Sequence, residues 1–192
     1  MNRPRKFWMR WRVRVGYPVA AVFWLLAAPS LHSIVMGGVF AAFGLFVRAL
    51  ASGYLRKDRE LATTGPYART RNPLYLGSAF IAAGFVLAGR SWWAGTLVGT
   101  YFAAFYYAVM RNEEGDLRER FGTAYDAYAA RVPFFFPRIT GAKEEEAHSE
   151  KDEHVFSFQR YCHNREYKAL IGTILGLALM GLRIVIRMRF GF

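Results

Sequence analysis

The chain has 192 residues, a length that fits one domain, and it combines 54% hydrophobic residues with 21% charged residues and a net charge of +12. Its single cysteine, Cys162, excludes an intramolecular disulfide. The basic surplus has the size expected of a nucleic-acid binder, but the basic residues flank long uncharged runs. That placement is the mark of positive residues kept on the cytoplasmic side of a membrane and attracted to anionic lipid, so no nucleic-acid partner is expected.

Residues 1–14 hold six basic side chains and no acid, and no Asp, Glu, Lys or Arg follows until Arg48. Residues 15–28 read as a first apolar helix starting in Gly16-Tyr17-Pro18. Residues 31–50 read as a second, with the turn at Pro29-Ser30. No cleavage site of signal-peptide type follows, so the first run reads as a retained anchor. Each arm is short for a bilayer span, and Arg14 and Arg48 are expected to extend it by snorkelling.

Residues 74–89 and 92–110 form a second apolar hairpin that turns at Gly89-Arg90-Ser91, with Trp92 and Trp93 as interfacial aromatics. Ala82, Ala83, Gly84, Gly95, Gly99, Ala103 and Ala104 are the residues expected at close helix contacts. If all four helices span, residues 1–14, 48–71 and 111–138 share one face, and their arginines make it cytoplasmic.

Residues 141–154 form an acidic, solvated linker. Residues 169–182 are a last apolar run with Gly172 and Gly176 as a small-residue pair; the run spans only if Tyr167 and residues 184–186 are included.

Two polar segments stand out. In the first, Gly65-Pro66 makes a turn, and Asn72-Pro73 suits a helix start with Asn72 as N-cap. Such a start offers free N–H groups to a carboxylate or phosphate. The same residues also read as a plain cap with interfacial tyrosines. In the second, Glu113 and Glu114 follow an uncharged helix directly, where carboxylates are costly unless paired or solvated. Leu117, Phe121, Tyr125 and Tyr128 fall near helical spacing, which also suits an amphipathic helix whose acids pair with Arg118 and Arg120. No Walker loop, zinc-spaced cluster, dinucleotide fingerprint or Ser/His/Asp arrangement is present.

Taken together, the two segments resemble the isoprenylcysteine carboxyl methyltransferase family and its relatives, the phospholipid N-methyltransferases. The resemblance rests on Gly65-Pro66-Tyr67 followed by Arg71-Asn72-Pro73-Leu74-Tyr75-Leu76-Gly77. It rests equally on Glu113-Glu114, Phe121-Gly122, Tyr125, Tyr128, Val132-Pro133 and Phe136-Pro137. It covers about residues 55–138. It implies an S-adenosylmethionine site formed by Leu61, Ala62, Tyr67, Asn72, Pro73, Leu74, Tyr75 and Glu113, with Arg111 and Glu114 as catalytic residues, Arg111 toward the substrate and Glu114 beside Glu113 at the cofactor. Asn72 stands where the family usually has histidine. An amide can donate a hydrogen bond but cannot relay protons near neutral pH, so this position is expected to bind.

The expected fold is an all-α integral membrane bundle of four core helices in two hairpins plus a fifth at the C-terminus. Residues 1–140 are the core, 141–168 a linker and amphipathic segment, and 169–192 a hydrophobic helix with a basic end. The expected function is methyl transfer to a lipid or lipid-linked acceptor, an isoprenylcysteine-type carboxylate or a phospholipid amine, at the cytoplasmic face. A membrane reductase of the sterol-reductase type using NADPH, or a non-enzymatic scaffold, are the alternatives. Both motifs precede residue 141, so truncation after Arg138 is expected to leave some cofactor binding.

Overall fold

The computed structural model describes residues 3–55, 60–138 and 156–190, and the regular elements among them are all helical. The first hairpin is α1 (Arg3–Leu26) and α2 (Leu31–Tyr54). The second begins with α3 (Pro73–Gly89) and α4 (Trp92–Tyr101), and α4 runs through a π-helical turn, Phe102–Tyr106, into α5 (Tyr107–Phe121). After these come α6 (Thr123–Arg131), α7 (Phe158–His163) and α8 (Tyr167–Phe190). The acidic linker at 141–154 lies outside the described residues.

The helices are longer than the apolar runs that announce them. α1 begins at Arg3, so Pro18 sits inside it rather than at its start. One missing backbone hydrogen bond does not end a helix that packing against its neighbours supports. α2 continues past Leu50 to Tyr54. The fourth apolar run does not stop at Met110, because α5 carries on through the polar segment to Phe121. Gly122 ends it with φ +53° and ψ −126°, a backbone region that an L side chain rarely occupies.

The hairpin turns are held by named bonds. Ser30 caps α2 by accepting from the Ser33 N–H at 3.2 Å, and the Ser33 hydroxyl also donates to the Ala88 carbonyl at 2.8 Å. The Ala28 N–H donates to the Gly89 carbonyl at 2.7 Å. These bonds join the far ends of the two hairpins. Trp92 and Trp93 project there almost fully exposed.

Much of the described helix interior is small: Ala27, Gly37, Ala41, Gly44, Ala51, Ala88 and Ala94 are buried, beside a few large side chains such as Phe23, Val109 and Met180. Large apolar residues face out: Leu31, Val35, Val39, Phe43 and Phe46 form one exposed stripe along α2, and Ile171, Leu175, Leu179 and Leu182 another along α8. Stripes of this size would be a liability in water and are what lipid tails cover. α2 and α8, of 24 residues each, are long and apolar enough to cross a membrane.

Gly84 does enter the expected close contact, and its partner is Gly37: a Cβ on Gly37 would lie 2.3 Å from the Gly84 carbonyl oxygen. Gly44 and Gly77 repeat this contact one step nearer the polar end. Gly99, Ala103 and Ala104 depart from expectation, since a Cβ on Gly99 would meet nothing within 4 Å and both alanines are exposed. Gly176 packs on the Phe85 ring, whereas Gly172 faces open space, so the tail's small-residue pair is used at one member only.

α8 runs antiparallel to α2, with Glu166 beside Arg48 at one end and Leu177 near Gly38 farther along. At its far end Arg183 donates to the Ala27 and Leu25 carbonyls, each at 2.6 Å, and lies over the Trp24 ring. It thereby satisfies carbonyls that the end of α1 leaves without helical partners.

Candidate functional site

The two polar motifs meet at one end of the bundle. Residues 65–68 form a single 3₁₀ turn, and α3 starts with Asn72 at the N-cap and Pro73 at its first position, as expected. The Asn72 side chain, however, makes no capping bond. It donates instead to the Phe134 carbonyl at 2.8 Å. The segment after α6 runs alongside the first motif. The Arg71 N–H donates to the Pro133 carbonyl at 3.0 Å, the Thr70 hydroxyl to Phe135 at 2.8 Å and the Arg138 N–H to Arg69 at 3.0 Å. The start of α3 is thus left without a side-chain cap, and its neighbours are fixed by a strap.

Below the strap, Tyr125, Tyr128 and Val132 form a buried cluster joined by Leu61, Leu117 and Phe121. This realises the predicted apolar face, with the break at Gly122 set inside it. The Tyr128 hydroxyl donates to the Tyr67 carbonyl at 2.8 Å. Burial pushes both tyrosine hydroxyls well above their ordinary range, so both stay protonated and neither is a base at neutral pH.

The acidic pair divides into two environments. The Glu114 carboxylate is buried and paired with Arg71, with Arg111 at 2.6 Å and, more distantly, with Arg118 at 4.0 Å. Arg118 is chiefly bound to Asp126, at 2.7 Å. The guanidinium groups of Arg71 and Arg111 also stack on the Phe134 ring, at 5.4 and 5.6 Å. Arg71 Nε is buried without a hydrogen-bond partner among the described residues, and that ring is its compensation. Glu113 is exposed, and one of its oxygens accepts the Tyr75 hydroxyl at 2.6 Å. Tyr75 meets Tyr106 edge-on, and Tyr106 stacks on Phe102 at 4.1 Å within the π-helical turn. Such turns recur at functional sites because the extra residue re-aims the helix beyond it.

The sequence-derived residues Leu61, Tyr67, Asn72, Pro73, Tyr75, Arg111, Glu113 and Glu114 therefore converge, through the bonds above. Ala62 is half-buried on the segment leading in. Leu74 enters through its carbonyl, which accepts from Arg48 at 3.2 Å. Arg48 does not snorkel. It turns inward, donating to Ser78 and to both oxygens of Glu166, at 2.9 and 3.0 Å. Asn164 adds bonds to the Ser52 and Leu55 carbonyls. The C-terminal segment is thus tied to the first turn of α3, and truncation after Arg138 would remove the partner of Arg48.

The sequence does not announce Arg71 as a partner of Glu114, the inward turn of Arg48, or the places of Phe134 and Arg12 at this end of the bundle. The position of Arg48, the one charged residue within a long apolar run, was the available signal.

A family model described as phospholipid methyltransferase matches residues 21–124 of the chain. The chain belongs to this family. The match runs from the end of α1 through α2, the first motif and the second hairpin to the acidic pair, and it brings with it methyl transfer as the activity and lipid as the setting. With the outward apolar stripes, it makes this phospholipid methyltransferase family member a membrane protein. The nickel-cobalt-cadmium resistance protein NccN of Alcaligenes xylosoxydans xylosoxydans is 35% identical over 160 residues, covering 78% of this chain and 72% of its own length. The cobalt-zinc-cadmium resistance protein CzcN of Cupriavidus metallidurans is 33% identical over 159 residues, covering 78% and 71%. No solved structure matches the chain.

Proposed function

We propose that the chain is an S-adenosylmethionine-dependent methyltransferase acting on a lipid or lipid-linked acceptor at the cytoplasmic membrane face. The observation that carries this reading is the juxtaposition of the uncapped start of α3 with the exposed Glu113 carboxylate, bridged by Tyr75. The donor set fits the cofactor. A helix start suits an amino-acid carboxylate, and an exposed carboxylate suits ribose hydroxyls or a sulfonium charge. Aromatic rings suit the flat base. Leu74 and Tyr75 would hold the carboxylate end. Tyr67 and Leu61 would form the wall and Ala62 its rim. Asn72 would act through the strap by fixing Phe134.

Held by Leu74, Tyr75 and Glu113, S-adenosylmethionine would supply an activated methyl group for the acceptor's lone pair. The protein's part is orientation and exclusion of water. Glu114, held by Arg71 and Arg111, is a pivot that fixes α5 against α3. A carboxylate acceptor needs no base, and the proton of an amine acceptor would go to Glu113, which is exposed and near neutral-pH water.

We further propose that α1, α2, α3 and the α4–α5 helix span the membrane as the core within residues 1–140, that α8 is a fifth span within 169–192, and that the motif end faces the cytoplasm. Cysteine labelling should then reach A62C and T123C from the cytoplasm and S91C only from the opposite side. Labelling of all three from one side would overturn the topology. The names of the two relatives place them in heavy-metal resistance, and lipid methylation would act in that setting here.

Titration of the reconstituted protein separates the readings. Saturable binding of S-adenosylmethionine without binding of NADPH is expected. The reverse result would favour a reductase, and binding of neither would favour a scaffold.

A further inference from the structure

The basic amino-terminal helix contributes a side chain that the motifs do not account for. The Arg12 backbone carbonyl accepts the Tyr101 hydroxyl at 2.6 Å, which pins this turn of α1 to α4. From there the half-buried guanidinium lies 5.6 Å from the Tyr106 ring centre and beside the Tyr75 hydroxyl. Tyr75 therefore has Glu113 on one side and Arg12 on the other. Every carboxylate of the acidic segment that forms a described ion pair is matched to another arginine, and among the described residues Arg12 has no ion-pair partner. A cation with no ion-pair partner among the described residues, held against aromatic rings at the motif end of the bundle, can receive an anion that arrives from elsewhere.

We propose that Arg12 is the anion-binding residue of the acceptor subsite, and that the acceptor is a membrane lipid carrying an oxyanion, a phosphodiester or a carboxylate. Arg12 would hold the oxyanion by charge-assisted hydrogen bonds while the Tyr106 ring covers the adjoining apolar part. Glu113, across Tyr75, faces the positive charge of the cofactor or of an ammonium head group. The pair thus gives the subsite complementary ends for a zwitterion. The proposal rests on the methyltransferase reading for calling this lipid a substrate, but not for its binding.

The test is lipid retention by the full-length protein, read by native mass spectrometry from detergent without cofactor. The probes are phosphatidylethanolamine, an N-acylated farnesylcysteine and uncharged diacylglycerol. The parent should retain one of the two oxyanion-bearing lipids in preference to diacylglycerol, and the lipid retained identifies the oxyanion. Arg12→Gln should weaken that retention about tenfold or more, while Arg12→Lys, which keeps the charge without the planar fork, should weaken it less. S-adenosylmethionine affinity should be unchanged in both variants, which also reports that they fold. Equal retention of charged and uncharged lipids by the parent, or equal retention by the parent and Arg12→Gln, overturns the proposal. Arg12-dependent retention in a protein that binds no S-adenosylmethionine supports the anion subsite and sinks the methyltransferase reading instead.

Discussion

Glu114→Ala is expected to destabilise the motif end of the bundle by about 3–5 kcal/mol, the usual cost of leaving a buried charge without its partner. The charge left behind is Arg71, whose side chain is only 14% exposed and whose Nε already lacks a hydrogen-bond partner among the described residues. Arg111 is more exposed and can turn to water, so its loss contributes less. The measurement is the midpoint of detergent-induced unfolding of the reconstituted protein. Two comparisons isolate the cause. Glu114→Gln keeps an acceptor and should fall between parent and alanine. The double variant Arg71→Leu/Glu114→Leu removes both charges and should recover much of the loss, because two apolar groups need no partner. A parent-like midpoint in Glu114→Ala would show that water, not the arginines, neutralises this carboxylate.

Glu113→Gln should do the opposite, leaving stability nearly unchanged and weakening S-adenosylmethionine by about tenfold or more. Glu113 is exposed, and a glutamine carbonyl can still accept the Tyr75 hydroxyl, so the local fold is kept. What disappears is the negative charge. Charge-assisted bonds to a carboxylate contribute roughly 1.5–3 kcal/mol each, and about 1.4 kcal/mol corresponds to a tenfold change in affinity. Isothermal titration of parent and variant measures this directly, with Glu119→Gln as the exposed control outside the motif. Parent-like affinity in both variants would reduce Glu113 to a surface charge and remove the main contact proposed for the cofactor. Loss of Glu114 is thus expected to cost stability, and loss of the neighbouring Glu113 charge to cost binding with stability intact.

That contrast was not legible in the sequence, where Glu113 and Glu114 are adjacent and alike. On a helix, neighbours point about 100° apart, so one turns toward Arg71 and the strap while the other turns toward Tyr75 and the open side. Arg71 is distant from Glu114 along the chain, and nothing local marks the pair.

Much else is written locally. Long uncharged runs flanked by arginines determine where the apolar helices lie, because burying unpaired charge in hydrocarbon is too costly. Pro73 after Asn72 determines where α3 begins, because a proline nitrogen has no hydrogen to lose at a helix start. The ordered motifs determine the family. The tertiary structure decided how the helices continue and what their polar side chains meet. Helix ends drifted because polar residues such as those of α5 remain helical once packing supports them. Asn72 is drawn from capping to the Phe134 carbonyl only because the strap after α6 passes within reach. Arg48 turns inward only because Glu166 is delivered there by α8, more than a hundred residues later in the chain. Arg12 faces Tyr75 and Tyr106 only because Tyr101 fixes its turn of α1 against the second hairpin. Local sequence sets cost and propensity over a few turns, whereas pairing between distant charges depends on which helices become neighbours, and that is decided by the close fit of surfaces such as Gly37 on Gly84.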